Sequence, residues 1–282
     1  GMWPFSTLGW PEETPELKYF YPTSVLCTGY DIIFFWVARM IFSGCEQMKK
    51  IPFHTVLIHG LVRDDKGRKM SKSLGNGIDP LEMAEKFGAD ALRFNLITGN
   101  SPGNDMRFYV EKCEAMRNFC NKIWNASRFV MMNLTIDHVE LPEKLELEDK
   151  WILSKLNTLI KRVDDDLWNY RVTEPALAIQ DFVDELSNWY VRRGRERFWG
   201  KGDVKDKDAA FTTLYHVLVT LSKVCAPFIP FLSEEIYQNL VVNNVPGAPE
   251  SVHLCDFPTA DESAIDADME AQMDALVEVV QL

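Results

Sequence analysis

The residues best suited to chemistry lie in one short, basic loop. The pentapeptide KMSKS at 69–73 supplies two ammonium groups and two hydroxyls within five positions. Lysine is a compact, mobile positive charge, so such a loop can close over a polyphosphate and stabilise charge that develops when a phosphate is attacked. Gly67 and Gly75 on either side leave its backbone free to move. A solvent-exposed basic turn would explain a bare pair of lysines, but here His-Gly precedes the loop and Gly-Asn follows it.

Local patterns place this loop between a strand and a helix. Residues 55–62 are β-branched or apolar on both faces, which is typical of a central strand in a parallel sheet. A helix over 79–98 begins with an N-capping Asp followed by Pro. A strand is predicted over 21–30, and a helix over 31–48 that is apolar nearly all round and therefore buried. The first hundred residues thus predict an α/β fold.

A second chemical feature is a basic segment rich in aromatic residues. Residues 187–201 combine Trp189, Tyr190, Phe198, Trp199 and Lys201 with four arginines. The arginines are Arg192, Arg193, Arg195 and Arg197. Such a patch can neutralise RNA phosphates while aromatic faces anchor it, although a solvated helix face whose arginine stems cover the core fits the same pattern.

The overall charge does not exclude a nucleic-acid partner. The formal net charge is −12, which taken alone argues against one. Residues 224–282, however, contain 11 of the 42 acidic residues and no Lys or Arg, so residues 1–223 are close to neutral. The negative charge therefore belongs mainly to the C-terminal segment.

After residue 103 the pattern changes to amphipathic helices with short connections. Helices are predicted over 116–134, 147–169, 174–199, 207–225 and 229–241, followed by an extended segment over 243–260 and an acidic helix over 264–282. Such a series is typical of a helical bundle. The predicted fold class is α/β plus all-α, divided into residues 1–103, 104–260 and 261–282.

Cysteine and hydropathy patterns exclude several classes of site. The six cysteines form no CxxC and no Cys/His cluster, so we expect no metal site and no disulfide framework, only small buried thiols in a reducing compartment. The longest apolar run, 32–40, is interrupted by Arg39 and is too short to span a bilayer.

These motifs together resemble one family, the class Ia aminoacyl-tRNA synthetases, whose second signature is KMSKS. The resemblance covers essentially the whole chain. WPFSTLGWP at 3–11, TGYDIIFFWVARMI at 28–41 and ITGNSPGNDMRF at 97–108 are similar to valyl members of the class. The stretches at 172–199 and 226–240 are more similar to isoleucyl members. The family implies a partial Rossmann-like nucleotide-binding domain followed by an α-helical anticodon-binding bundle.

The resemblance also implies roles for individual residues. Lys69 and Lys72 would be catalytic contacts to ATP phosphates, with Lys72 the more critical for adenylate formation. The implied ATP-binding set is His59, Gly60, Lys69, Met70, Ser71, Lys72 and Ser73. Asp31 would hold the ammonium group of the amino acid, and Trp36 would wall the pocket for its side chain. Taken alone, Asp31 fits a helix N-cap and Trp36 a core tryptophan.

The ligands and partners follow from the same resemblance. They are ATP with Mg²⁺, valine or isoleucine, and tRNA, which the bundle would contact through Arg192, Arg193, Arg195 and Arg197. The implied protein is a cytoplasmic monomer with no structural metal.

One family signature is missing. None of the five histidines stands in an HxGH motif, the first signature of the class. We therefore expect an internal piece of a larger enzyme that forms no aminoacyl-adenylate by itself. A non-catalytic tRNA-binding module and a helical scaffold without RNA affinity are the alternatives from other functional classes.

Overall fold

The computed structural model divides the chain into two compact units. It describes residues 1–99, 103–133, 141, 144–200 and 204–281. Unit 1 consists of Gly1–Ile78 and Gly99–Tyr109, and unit 2 of Asp79–Thr98 and Val110–Leu282. Leu134, which ends a predicted helix, and Lys201 of the basic segment lie outside the described residues.

Unit 1 is a small α/β structure. Its elements are α1 (Trp3–Ser6), α2 (Pro15–Phe20), β1 (Thr23–Gly29), α3 (Ala38–Gln47), β2 (Phe53–His59), β3 (Val62–Arg63) and β4 (Met106–Arg107). β1 pairs in parallel with β2, and β3 in parallel with β4. The chain leaves β1 through a 3-10 turn and a π-helical turn before it enters α3. Val37, Met40 and Phe53 form a buried cluster between this connection and β2. This β-α-β arrangement confirms the predicted Rossmann-like piece.

The connection between β1 and β2 is less buried than its composition predicts. Phe34, Phe35 and Phe42 are 82%, 69% and 62% exposed. The sheet formed by β1 and β2 has two strands within the described residues, so it covers one face of the connecting helix and leaves the other uncovered. The expectation that 31–48 is buried all round is therefore wrong. The expected central position of β2 is wrong for the same reason, since β2 pairs on one side only in the described part of the sheet.

Unit 2 is the predicted helical bundle. Its helices are α4 (Pro80–Phe87), α5 (Ala89–Thr98), α6 (Val110–Asn133), α7 (Leu147–Trp168), α8 (Thr173–Glu185), α9 (Arg195–Trp199), α10 (Val204–Cys225), α11 (Pro230–Tyr237) and α12 (Ala267–Gln281). One continuous apolar core joins α5 to α12, with Trp151, Ile179 and Leu214 almost fully buried. Each such side chain contributes about 1.5–3 kcal/mol through burial. Every helix within the described ranges is too short or too polar to serve as a membrane span.

Two predicted helices are each broken in the structure. The helix over 79–98 begins as predicted, with the Asp79 carboxylate accepting the Leu81 N–H at 2.8 Å. It is interrupted at Gly88, whose φ of +96° is left-handed, so α4 and α5 are separate. The helix over 174–199 divides into α8, a π-helical turn and α9, with Gly194 as the N-cap of α9.

The cysteines differ in burial. Cys113 and Cys225 are buried, whereas Cys27 and Cys45 are exposed, so the expectation of six buried thiols is wrong for these two. Both exposed cysteines lie in unit 1, whose two buried apolar clusters contain only three residues each within the described part of the chain. Burial raises the pKa of Cys120 in the bundle to about 12. Among the described residues, no cluster of three or more His, Cys, Asp or Glu side chains is arranged to bind a metal ion.

Candidate active site and RNA-binding surface

β1 and β2 end side by side, and several predicted site residues follow these ends. Gly29 lies opposite His59 in the parallel pair, so Asp31 and Gly60 leave the sheet at the same edge. That carboxyl edge is where open parallel sheets bind ligands. Gly60 has no room for a side chain, because an added Cβ would lie 1.7 Å from the carbonyl oxygen of Asn104. Only glycine allows the two backbone segments to approach so closely.

Asp105 connects the chain segments at this edge through hydrogen bonds. Its carboxylate accepts the Leu61 N–H at 2.8 Å and the Tyr30 hydroxyl at 3.1 Å, and it also accepts the Arg63 Nε–H. The hydrogen bond from Leu61 is the largest of the causes that lower the pKa of Asp105. One ionised carboxylate therefore links the end of β1 to the start of β3.

The structure brings Lys69 to Asp31. The Lys69 Nζ lies 3.4 Å from an Asp31 carboxylate oxygen, with side chains 66% and 33% exposed. Lys69 also pairs in antiparallel fashion with Arg63, which carries the start of the loop back towards the sheet edge. An exposed ion pair of this kind contributes about 0–1 kcal/mol, so Lys69 and Asp31 separate easily.

The remainder of the pentapeptide forms an exposed turn. Ser71 caps a 3-10 turn that starts at Lys72 and is followed by Gly75, which has a φ of +61°. The Oγ atoms of Ser71 and Ser73 are 3.1 Å apart. Met70 is half-buried. Lys72 is exposed and makes no ion pair with the residues that the structure describes, so its ammonium group is open to a ligand.

Two residues that the sequence analysis missed hold the base of this loop. Asp64 is 4% exposed and accepts hydrogen bonds from the N–H of Lys66 at 3.1 Å and of Arg68 at 2.7 Å, and from the Arg68 Nε at 2.8 Å. Its other contact is the side-chain amide of Asn76, at 2.9 Å. The sequence signal was Asp-Asp-Lys-Gly at 64–67, a composition typical of a turn closed by an Asp side chain.

These contacts predict an unusually acidic Asp64. Hydrogen bonds from Asn76 and Arg68 stabilise the ionised carboxylate and lower its pKa from 3.8 to about 2. The stabilisation of the turn is therefore complete above about pH 4 and is lost as the pH falls through about 2. In an NMR titration, the Arg68 backbone amide should shift with a midpoint near 2. A midpoint near 3.8 would show that the carboxylate is not held in this way.

Trp36 lies in a different environment from Asp31. It is 39% exposed and lines an open, mainly apolar groove of 880 Å³ in unit 1, together with Leu26, Met40 and Phe53. An indole in such a groove can contact a branched alkyl group. The groove is larger than one such side chain, so Trp36 could wall only a part of it.

In unit 2 the basic segment exposes three of its four arginines. Arg192, Arg193 and Arg195 are exposed at the end of the π-helical turn and in the first turn of α9. The Arg193 guanidinium lies 4.2 Å from the ring centroid of Trp189, and that of Arg195 lies 5.6 Å from that of Trp199. The surface thus presents cations stacked on aromatic rings.

Arg197 occupies a different place from the other three. Its side chain is 17% exposed and donates to both carboxylate oxygens of Asp149, at 3.0 and 2.9 Å, and to Asp206. Asp149 is fully buried and also accepts the Tyr190 hydroxyl at 2.6 Å. Hydrogen bonds to the two carboxylates raise the pKa of Arg197 despite its burial, which acts in the opposite direction. The structure thus gives this arginine a role inside the bundle that its sequence context did not reveal.

Two family models match this chain, one over each part. Residues 1–109 match the model for class I tRNA synthetases (I, L, M and V), and residues 149–282 match that for the anticodon-binding domain of tRNA ligases. The valine–tRNA ligase of Clostridium tetani is 49% identical over 99% of this chain and 32% of its own length. That of Clostridium perfringens is 50% identical over 99% and 32%. The chain therefore spans about a third of the length of these relatives, and the match includes the half that resembled isoleucyl members.

Solved structures share the fold. The LeuRS of Agrobacterium radiobacter K84, in ternary complex with tRNA and LeuAMS, superposes with a TM-score of 0.76 at 23% identity, covering 94% of this chain and 33% of that one. The methionyl-tRNA synthetase of Mycobacterium tuberculosis, in complex with methionyl-adenylate, gives 0.70 at 20% identity, covering 89% and 54%. The chain therefore contains a segment of the class I tRNA synthetase family in residues 1–109 and an anticodon-binding domain of tRNA ligases in residues 149–282.

Proposed function

We propose that this chain is the KMSKS-bearing part of a valine–tRNA ligase. The complete reaction joins valine to the α-phosphate of ATP, releases pyrophosphate, and then transfers the valyl group to tRNA. The observation that carries the proposal is the placement of Lys69 against Asp31 at the carboxyl edge of β1 and β2. A phosphate-binding cation and an ammonium-binding carboxylate thereby meet in one site.

In this proposal the two lysines act on the phosphates. When the valine carboxylate attacks the α-phosphorus, the bond to the bridging oxygen breaks and its electron pair leaves with pyrophosphate. Lys69 and Lys72 neutralise the charge that builds up on these oxygens, and ATP brings Mg²⁺ to the same phosphates. The hydroxyls of Ser71 and Ser73 and the backbone at Met70 complete the loop. His59 and Gly60 at the end of β2 support the adenine.

The amino acid would compete with Lys69 for Asp31. The Asp31 carboxylate accepts hydrogen bonds from the ammonium group of valine. The bound ammonium group displaces Lys69 towards the phosphates of ATP. The weak, exposed ion pair between them supports such an exchange. Trp36 contacts the alkyl side chain in the apolar groove. The curated relatives carry valine in their names, which favours valine over isoleucine.

The RNA-binding part of the proposal rests on the exposed cations of unit 2. Arg192, Arg193 and Arg195 contact the tRNA backbone, while the stacked rings of Trp189 and Trp199 stiffen the surface. Arg197, which the sequence placed in this set, is assigned instead to the ion pairs with Asp149 and Asp206. The acidic C-terminal helix packs against the core of the bundle through Met269 and Met273 and carries no Lys or Arg. We retain the division into residues 1–103, 104–260 and 261–282, and a cytoplasmic monomer, as parts of the same proposal.

Charge reversal tests the RNA surface. Replacing Arg192, Arg193 and Arg195 by glutamate should weaken binding of a valine-accepting tRNA transcript at least tenfold, because each lost phosphate contact removes a counterion-release contribution. The slope of log affinity against log salt should fall by about 2–3 units. Fluorescence anisotropy at several salt concentrations measures both quantities.

A matched control reverses three exposed cations of unit 1. They are Lys18, Lys49 and Lys50. This variant has the same net charge as the arginine variant, so it separates a local surface from a general charge effect. Equal losses in the two variants would contradict the assignment of the basic segment, and unchanged affinity in both would favour a helical scaffold.

The alternative from another functional class is a tRNA-binding module without catalysis, which the missing HxGH motif does not separate from a part of the ligase. The chain by itself should show no valine-dependent ATP–pyrophosphate exchange, since the first signature of the class, HxGH, is absent from its sequence. Measurable exchange by the purified chain would overturn this expectation. Binding of both ATP and tRNA without exchange supports the ligase part, whereas binding of tRNA alone supports the module.

A further inference from the structure

We infer that Asn76 and Asp64 are positioning residues that fix the backbone of the phosphate loop around Met70. This inference rests on the proposed function and deepens it, since it explains how an exposed loop flanked by glycines keeps its two lysines in place. Neither residue contacts a phosphate; both act through the loop backbone.

Asn76 links the two sides of Met70. Its side-chain nitrogen donates to the carbonyl oxygen of Lys69 at 3.3 Å, and its side-chain oxygen accepts the N–H of Ser71 at 3.0 Å. Asn76 thus pairs with the backbone carbonyl before Met70 and with the backbone N–H after it. The segment that carries Lys69 and Lys72 is thereby tied to the chain after Gly75.

Asp64 fixes which way the Asn76 amide faces. An ionised carboxylate is only an acceptor, so it must receive the amide N–H, and the Asn76 nitrogen indeed lies 2.9 Å from it. With the nitrogen held there, the Asn76 oxygen faces the Ser71 N–H. If the amide were turned the other way, its NH2 group would face the Ser71 N–H, which is also a donor. Its oxygen would then face the Asp64 carboxylate, which is also an acceptor.

Asp64 is itself held by the turn it closes. Both of its oxygens are occupied, one by the backbone N–H groups of Lys66 and Arg68 and the other by the Arg68 guanidinium and Asn76. Asp64 is 4% exposed although Asp65 and Lys66, which follow it, are exposed. A loop arranged in this way before its ligand arrives loses less freedom on binding.

The test distinguishes a positioning role of Asp64 from a purely electrostatic effect of its charge. Asp64→Asn removes a negative charge near the loop, so charge alone predicts tighter binding of inorganic tripolyphosphate. A positioning role predicts about tenfold weaker binding. An amide at position 64 has both a donor and an acceptor, so it can pair with either end of the Asn76 amide and no longer fixes its orientation. Asp65→Asn is the matched control, since Asp65 is exposed, adjacent and carries the same charge. Isothermal titration of the full chain gives both affinities.

A second pair of variants provides rescue. Asn76→Ala should also weaken binding about tenfold without a change in charge. The exchange Asp64→Asn with Asn76→Asp restores one donor facing one carboxylate and keeps an acceptor for Ser71. The donor to the Lys69 carbonyl oxygen is not restored, so the rescue should be partial: the exchange variant should bind tripolyphosphate more tightly than Asp64→Asn alone, despite its extra negative charge, but more weakly than the unmodified chain. Thermal unfolding identifies any variant that fails to fold, and a purely structural role would lower the melting temperature without producing this rescue.

The outcomes separate the inference from the proposed function. If the unmodified chain does not bind tripolyphosphate, or Lys72→Met leaves binding unchanged, the proposed phosphate loop is overturned and the inference with it. If Lys72→Met weakens binding while Asp64→Asn and Asn76→Ala stay within twofold of Asp65→Asn, only the inference is overturned. Weaker binding in both single variants, with rescue in the exchange variant, supports it.

Discussion

Replacing Arg197 by methionine is expected to lower the unfolding free energy of the helical unit by about 3–5 kcal/mol. The substitution keeps most of the apolar stem but removes the guanidinium that pairs with Asp149 and Asp206. Asp149 is fully buried, so its carboxylate would be left with an unpaired charge in the core. Denaturant unfolding followed by near-ultraviolet circular dichroism of the bundle tryptophans measures the effect.

Arg195→Met is the matched control for that experiment. Arg195 lies two positions earlier on the same helix, is exposed and contacts the ring of Trp199. Loss of an exposed cation–π contact should cost at most about 1 kcal/mol. The same pair of variants separates the functional roles, because Arg195→Met should weaken tRNA binding without unfolding the bundle. Equal stability losses at the two positions would contradict the buried assignment of Arg197.

Replacing Lys72 by methionine is expected to weaken ATP binding by about 10–100-fold. Lys72 projects from the exposed turn without an ion pair among the described residues, so its charge is available to the phosphates. A hydrogen bond between charged groups contributes about 1.5–3 kcal/mol, which corresponds to this range of affinity. Titration calorimetry with ATP and Mg²⁺ provides the measurement.

Lys66→Met controls for the general positive charge of the loop. Lys66 is exposed in the same loop, and its backbone rather than its ammonium group contacts Asp64. Its replacement should change ATP affinity less than threefold, because an exposed charge outside the site acts only through screened long-range attraction. If Lys66→Met and Lys72→Met weaken binding equally, the loop attracts ATP by net charge and Lys72 has no specific contact.

Several features of the candidate site followed from local sequence patterns. The strand before the loop was visible from its β-branched, apolar residues, and the helix after it from the capping residue Asp79, which the structure confirms. The helical segments of the bundle were visible from the period of their apolar residues. Each of these signals depends on neighbours within a few positions, so one sequence is sufficient to read it.

Other features depended on residues far apart in the chain. Asp90 accepts backbone N–H groups from Phe231 and Leu232 and so caps a helix more than a hundred residues away. Arg197 and Arg195 have the same local context, yet one pairs with Asp149 inside the bundle and the other is exposed. No periodicity within the basic segment distinguishes them, because the distinction lies in the partner helices.

The sequence by itself determined the chemistry of the loop, the order of its flanking elements and the change from α/β to all-helical structure, since residue type and short-range spacing specify these. Tertiary structure decided which charged groups are available to a ligand. It paired Lys69 with Asp31, left Lys72 free of ion pairs within the described residues, and buried Asp64 as the acceptor that orients Asn76. The physical reason is that a side chain's exposure and its partners are set by the groups that folding brings to it from distant positions.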